Sequence, residues 1–503
     1  MTVPIRRGLL LAALVTLIAL ATIAVGRARS AARGARASAA GAITIGPGAA
    51  GTPVDPGFVG VSFEQTALET YAGKNPDALN PVFVQLLRSL SPRDAVVRIG
   101  GDSTDWSWYG VPGSKHPQWV RYTLTPSWMA IAHALATAVS GRLILGVNFE
   151  ADSAAIARAE ADAMVKDIGT KEIDALELGN EPELYGSFNW YRTPAHVGVL
   201  GRPSGWDFSE YRQQFGTIAK TLPDVRLAGP STGSLLWSQS LGSFLAANRK
   251  VAVATLHRYP TQRCVSTTHV SAAQLLSQSS SDGLADSVAP YVKTANGFGD
   301  PLRLDELNAV SCGGEQGLSN TFATSLWALD AMFALARVGV SGVNFHTTPN
   351  SVNQLFSFKQ AGGQWAGQVS PLYYGLLMFA QAAPAGSRLL QVAGPRSEPL
   401  RVWAARTPTG QTHVVVINTG ASGAAAVTLR IPGGSRSGFV ERLTAPGLAA
   451  TGGITLGGMS FGASTHTGTL AGTPRLTTVA AQGSTPTYSL SVPAASAAML
   501  TLG

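Results

Sequence analysis

The sequence has little charge, and its acidic residues are unevenly placed. Asp, Glu, Lys and Arg make up 13% of its 503 residues, about half the usual ~25%. The first 40 positions contain no Asp or Glu but six arginines (Arg6, Arg7, Arg27, Arg29, Arg33, Arg36). Without those six, the formal charge of +8 falls to about +2. A body so close to neutral lacks the electrostatic footprint of a nucleic-acid-binding protein. Extensive disorder is excluded because 45% of residues are hydrophobic. No HExxH occurs among the eight histidines, so nothing marks a zinc hydrolase. No metal or cofactor is expected. Gly46-Pro47-Gly48-Ala49-Ala50-Gly51 fits GxGxxG, but Pro53 and Pro56 follow it. They leave no helix N-terminus to hold a pyrophosphate.

What is present begins with a leader. Arg6-Arg7 precede a charge-free apolar run from Gly8 to Val25, and small residues such as Ala37-Ser38-Ala39 follow. This is the layout of a signal peptide, and the run is also long enough for an N-terminal membrane tether through residues 8–25. Both readings place the body outside the cytoplasm, secreted or membrane-anchored. The chain has two cysteines, Cys264 and Cys312, and in an exported protein they can pair.

From 57 to about 385 one pattern repeats: a short apolar strand-like run, a turn, then a helical stretch. The runs are GFVGVSFE (57–64), AVVRIGG (95–101), RLILGVNF (142–149), ALELGNEP (175–182), VRLAGPST (225–232), VATLHRYP (253–260), PLRLDELN (301–308) and GVNFHT (342–347). Helices are expected from Asn80-Pro81 onward, over 128–139, over 154–168 and over 321–339 up to Gly339. Eight such units predict an α/β fold, a closed (β/α)8 barrel over 41–385; an open doubly wound sheet is the alternative. After about 386 the helical period vanishes, so 386–503 reads as an all-β sandwich domain. Residues 41–56 are expected to add a strand to it.

Nearly every run ends in a polar residue: Glu64, Asp102, Asn148, Asn180-Glu181, His257 and Tyr259, Glu306, His346. These ends form the mouth of such a barrel, where catalysis occurs. Glu181 ends the fourth strand and Glu306 the seventh, so the two face each other. A retaining glycosidase needs that pair, one carboxyl to protonate the leaving oxygen and one to attack the anomeric carbon. His257 and His346 read as neutral residues of the mouth.

Gly179-Asn180-Glu181-Pro182, with a glutamate ending the seventh strand, resembles the signature of the clan of (β/α)8 retaining glycosidases. Within it the chain resembles glycoside hydrolase family 79, the β-glucuronidase and heparanase-like enzymes. The resemblance is carried by VGVSFEQTAL (59–68), VRIGGDSTDW (97–106), LGNEPELY (178–185), LHRYP (256–260) and ELNAVSCGGEQGLSNTFATSLWALD (306–330). It implies Glu181 as acid/base and Glu306 as nucleophile. It further implies that Asn180 binds the sugar 2-hydroxyl, Tyr259 donates to Glu306, and Glu64 binds sugar hydroxyls; Asp102 and Asn148 are weaker substrate-binding candidates. Ser311, Cys312 and Gly313 would form, with Gly314, a backbone cradle for a uronic acid carboxylate. Cys264 and Cys312 follow the sixth and seventh strands, whose loops are neighbours, so a disulfide bracing the cradle is expected. The chain departs from the family where glucuronidases place tyrosines near the carboxylate: position 311 is Ser, and 347–359 contains no Tyr.

The expected partner is therefore a β-glucuronide-containing glycan, cleaved by double displacement. A neutral sugar, endo action on a uronic-acid polysaccharide, or an inactive carbohydrate-binding barrel remain as alternatives. The oligomeric state is not legible in the sequence.

Overall fold

The structure, a computed structural model, describes residues 42–264, 269–394 and 398–503. The leader and its cleavage sites lie outside the described residues. Among the described residues, no helix is long and apolar enough to cross a membrane.

Eight parallel strands close a barrel in sequence order: β1 (Val59–Glu64), β2 (Val96–Gly100), β3 (Arg142–Val147), β4 (Ile173–Leu178), β5 (Leu227–Thr232), β6 (Val251–His257), β7 (Leu302–Leu307) and β8 (Gly342–His346). The β8–β1 ladder, Val343 to Val59 through His346 to Ser62, completes the closure. An open sheet is thereby excluded, and all eight runs read from the sequence are barrel strands. Their near-continuous apolar character follows from burial on both faces, the outer one covered by helices.

The expected helices start where side chains can take up the free N–H groups of the first turn. Asn80 accepts from the amides of Val82 and Phe83 and starts Pro81–Leu90. Ser153 starts Ala154–Asp167. Thr125 caps Pro126–Ala138, so this helix begins two residues before the expected 128. The helix expected over 321–339 is Ala323–Arg337, and Gly339 follows it with φ +83°.

Inside the barrel, Val96, Ile144, Ala175, Ala228 and Val253 form a small apolar cluster of their own. Buried charged and polar residues also occupy the interior: Ser62, Arg98, Glu177 and Asp305, each with 0% exposure. The packed interior thus becomes polar toward the mouth.

The C-terminal strands form a ten-stranded sheet that also takes in the N-terminal strand Ile43–Pro53. That strand pairs antiparallel with Arg388–Ala393 and parallel with Ala425–Arg430. The GxGxxG segment lies in it, across a register shift between Ile45 and Ala49, so it is bulged strand. Alternation along the central strands explains their sequence. Ala404, Val414, Val416, Ala498 and Leu500 face the core of the β-domain. Their neighbours Trp403, Ala405, Val415, Ile417, Ala497 and Met499 join the core of the barrel.

Trp403 is the anchor of that junction. It is 6% exposed, stacks on Phe333 at 5.6 Å, and its Nε1 donates to Asp330 at 2.7 Å. Trp403→Ala is expected to destabilise the protein by about 3–5 kcal/mol, read as a lowered midpoint in denaturant unfolding.

Candidate active site

Consecutive residues of a strand normally face opposite sides of the sheet. At the end of β7 they do not. The β6–β7 ladder shifts register between Leu256 and His257, and the β7–β8 ladder between Leu304 and Leu307. This irregularity brings both Asp305 and Glu306 to Arg98, at 3.3 and 2.8 Å. After β4, Gly179 (φ +85°) turns the chain, and Glu181 itself takes a left-handed conformation (φ +44°). Its amide donates to the Ser231 carbonyl at 2.9 Å. A non-glycine residue held there is costly and characteristic of functional sites.

Arg98, fully buried on β2, joins these elements. Nε donates to Glu177 at 2.6 Å, Nη1 to Glu306 at 2.8 Å and to Ser62 at 3.3 Å, and Nη2 to Asn180 Oδ1 at 2.7 Å. Burial works against its charge, but Glu177, Asp305 and Glu306 outweigh burial and keep it protonated. Burial, then the neighbouring Glu177, holds Asp305 well above the usual carboxylate range. Glu177 is lowered, because the neighbouring Arg98 overcomes its burial. The two carboxyls beneath Arg98 are thus shifted in opposite directions.

Glu306 also accepts from the Tyr259 hydroxyl at 2.8 Å, the contact expected of Tyr259. Burial pushes its carboxyl up, but His346, His257, Arg98 and the Tyr259 bond together hold it well below the usual range, ionised. His257 bridges the two glutamates: Nδ1 lies 3.0 Å from Glu181 Oε1 and 3.9 Å from Glu306 Oε2. Burial opposes its charge, yet Glu306, Asp305 and the Glu181 bond push it up to about 9. His346, at 3.0 Å from Ser62 Oγ, is raised against its burial by Glu306 and Glu64. The expectation of neutral histidines is corrected: each sits beside carboxylates that favour its charged form.

Oxygens of Glu181 and Glu306 and a nitrogen of His257 lie within 4.8 Å of one another. Among the described residues this trio has metal-binding spacing. A second arrangement lies beside it. Gly229-Pro230-Ser231-Thr232-Gly233 has G-x-S-x-G spacing, a motif that sequence reading missed, and Ser231 Oγ lies 3.1 Å from His257 Nε2. Ser231 is 0% exposed, so its hydroxyl is closed off from a substrate in the mouth.

The other expected residues divide. Asn180 Nδ2 donates to Asp102 at 3.1 Å. Asp102 faces the open mouth, and the pocket walls, then Glu64, Glu181 and Glu306, push it up to about 8. Glu64 accepts from the Ser103 amide at 2.7 Å and lies 3.5 Å from His346; its carboxylate fills the space that a Cβ on Gly101 would need. Asn148 does not join the site. Its Nδ2 donates to the Ser107 carbonyl and its Oδ1 accepts from Ala151, so it fixes the loop after β3. Cys264 and Cys312 form the expected disulfide. Cys312, Gly313 and Gly314 all have positive φ, and among the described residues their amides have no acceptor. Ser311 differs: its amide donates to the Thr261 carbonyl at 3.1 Å and its hydroxyl lies 3.3 Å from Cys264 Sγ, so it braces the cradle from behind.

Sequence reading also missed Arg98, Glu177, Asp305 and Glu183. The first three had a signal, charges inside apolar strand runs. Glu183 accepts from the amides of Gly233 and Ser234 at 2.7 and 2.8 Å, tying the loop after β4 to the loop after β5. Burial and Glu181 push it up to about 7.

Two tests follow from this network. Arg98→Met is expected to cost about 3–5 kcal/mol, since it strips the partner from buried carboxylates, measured by denaturant unfolding. His257, with a folded pKa above its unfolded value, contributes stability in full below about pH 6.5 and loses it as pH rises through about 9. The stability gap between wild type and His257→Gln should therefore be on the order of 3 kcal/mol at pH 6 and nearly vanish by about pH 10.

Comparison with known proteins agrees with this geometry. Residues 402–499 match the glycosyl hydrolase family 79 C-terminal beta domain. A beta-glucuronidase of Neurospora crassa is 24% identical over 353 residues, 61% of this chain and 60% of that protein. A heparanase of Bos taurus is 27% identical over 242 residues, 45% of this chain and 39% of that protein. The chain thus spans less than two thirds of the length of either relative. In fold it is similar to a 4-O-α-L-rhamnosyl-β-D-glucuronidase from Fusarium oxysporum (TM-score 0.68, 20% identity, 92% of this chain and 99% of that one). It is also similar to a GH51 arabinofuranosidase from Xanthomonas axonopodis pv. citri (TM-score 0.63, 15% identity, 92% and 100%). The C-terminal domain, the curated relatives and the barrel all make glycoside hydrolase family 79 the family that this chain is similar to.

Proposed function

We propose that the protein is an exported retaining β-glucuronidase, with Glu306 as nucleophile and Glu181 as general acid/base. The observation that carries the reading is the pair itself: carboxylate oxygens within 4.8 Å of each other. Retaining enzymes hold their carboxyls about 5–5.5 Å apart, whereas inverting enzymes leave about 6.5–9.5 Å for a water.

In the first step Glu306, ionised and aimed by Arg98 and Tyr259, attacks the anomeric carbon. Glu181 gives its proton to the leaving oxygen as the glycosidic bond breaks. In the second step a water adds to the glycosyl–Glu306 ester, its proton passes to Glu181, and Glu306 departs as carboxylate. His257 holds Glu181 Oε1 in place between the two steps. Asn180, itself fixed by Arg98, is placed to meet the sugar 2-hydroxyl.

The uronic acid assignment draws support from the Cys312-Gly313-Gly314 cradle, whose unclaimed amides suit an anion, and from relatives named beta-glucuronidase and heparanase. A neutral sugar is the second reading. It is favoured by Ser311, whose amide and hydroxyl are turned to the loop after β6.

Hydrolysis of p-nitrophenyl β-D-glucuronide should exceed that of the matching glucoside, xyloside and galactoside, and the first-formed sugar should be the β-anomer by proton NMR. Glu306→Ala should lose a factor on the order of 10⁴ or more in kcat. Glu181→Ala should regain turnover with azide, yielding a β-glycosyl azide. An α-anomer as first product would sink the retaining mechanism; preference for a neutral glycoside would keep the mechanism and discard the uronic acid.

A further inference from the structure

The polarity of the mouth is lopsided. The ends of β1, β2, β7 and β8 present Glu64, Asp102, Glu306 and His346, with the anion cradle beside them. The side bearing Glu181 is different. Among the described residues seven large hydrophobic side chains are exposed, and five of them lie on the loops after β4 and β5: Leu184 (36% exposed), Phe188 (61%), Val197 (61%), Leu235 (59%) and Leu236 (71%). Isolated exposed leucines need no explanation, but most of a protein's exposed hydrophobics gathered on two adjacent loops do.

Their connection to Glu181 is direct. The Leu184 amide donates to the Glu181 carbonyl at 2.9 Å, and the Phe188 amide to the Leu184 carbonyl at 3.0 Å. On the other loop, a Cβ on Gly233 would stand 2.8 Å from Glu181 Oε1, and Leu235 and Leu236 open the short helix that Ser234 caps. Glu183, which could have offered a charge here, is turned onto the amides of Gly233 and Ser234. The two loops are therefore joined by the Glu183 carboxylate, and their apolar side chains are exposed.

A general acid must touch the oxygen of the group that departs, so whatever leaves lies against this surface. We infer that the leaving group of the natural substrate is an apolar aglycone, an alkyl or polycyclic alcohol, held by the wall of Leu184, Phe188, Val197, Leu235 and Leu236. This inference rests on Glu181 as the acid of the proposed function. Four of the five are branched aliphatic side chains, which lack the flat π-face and the donors with which proteins hold sugar rings, so a saccharide leaving group would gain little from them.

The test uses non-hydrolysable 1-thio-β-D-glucuronides and 1-thio-β-D-glucosides carrying butyl or octyl chains, with binding to the full chain followed by calorimetry. Full burial of a methylene is worth about fourfold, and contact on one face about half of that in free energy, so octyl should bind roughly tenfold tighter than butyl. The triple variant Phe188→Ser, Leu235→Ser, Leu236→Ser should bring the octyl-to-butyl ratio close to one. These residues are exposed, and an unchanged melting profile would show the fold intact. Chain-length preference in the glucoside series alone would keep the wall and overturn the uronic acid reading. Equal affinity for butyl and octyl in both series, or tighter binding of a thio-linked glucuronyl disaccharide than of the octyl compound, would overturn the wall and leave the two-glutamate reading to its own assay.

Discussion

The structure depends on one buried cation. Arg98 stands on β2, yet its guanidinium meets Glu177 on β4, Asn180 just beyond it, and Asp305 and Glu306 on β7. A guanidinium suits this position because its planar fork serves several acceptors at once and cannot be deprotonated to escape the cost of burial. Removing such a charge from water is expensive, and the network offsets that cost only because nearly every N–H finds an acceptor. The barrel interior is thus cross-braced by the group that holds the candidate nucleophile ionised, so closure of the fold and preparation of the site rest on the same contacts.

The proton inventory around Arg98 explains how so many carboxylates coexist. Glu177, Asp305 and Glu306 cannot all be charged beside one guanidinium. Asp305 is pushed up and Glu177 down, while His257, pushed up to about 9, stands between Glu181 and Glu306. The result is two glutamates in unlike surroundings: Glu306 within reach of a guanidinium, a phenol and two imidazoles, and Glu181 against one imidazole and the open loops. Double displacement needs such a division of labour.

Much of this was legible in the sequence, and the boundary is instructive. The eight apolar runs, the caps at Asn80 and Ser153, and the loss of helical period after 386 are local patterns, and local physics enforces them. Glu181 and Glu306 could be picked out because a parallel barrel turns strand order into spatial order. The Arg98 network was not legible, since its members are 79 and 208 residues apart in the chain. Their only mark is charge inside strands otherwise read as core. Nor could the slip in β7 be foreseen, because a register shift depends on both neighbouring strands at once. Asn148 fails for a related reason. It sits at a strand end like the others, but the nearest unpaired backbone groups belong to its own loop and to Ser107, and it satisfies those.

The mouth is assembled from loops joined in pairs. The loops after β6 and β7 are joined by Cys264–Cys312 and by the Ser311 amide on Thr261. Glu183 joins those after β4 and β5, and Glu64 holds the turn after β2 through Ser103. Each pair carries one side of the proposed chemistry: the Cys312-Gly313-Gly314 turn on the first, Glu181 and the exposed apolar side chains on the second, Glu64 and Asp102 on the third. The second pair is tied to the first by Arg258, just beyond β6, which donates to the Gly233 carbonyl at 3.2 Å and to Ser238 Oγ at 2.5 Å. Glu181 and Glu306 themselves follow β4 and end β7, so strand order in the barrel brings the two carboxyls together. The two carboxyls are thus placed by strands, and what surrounds them is placed by loops.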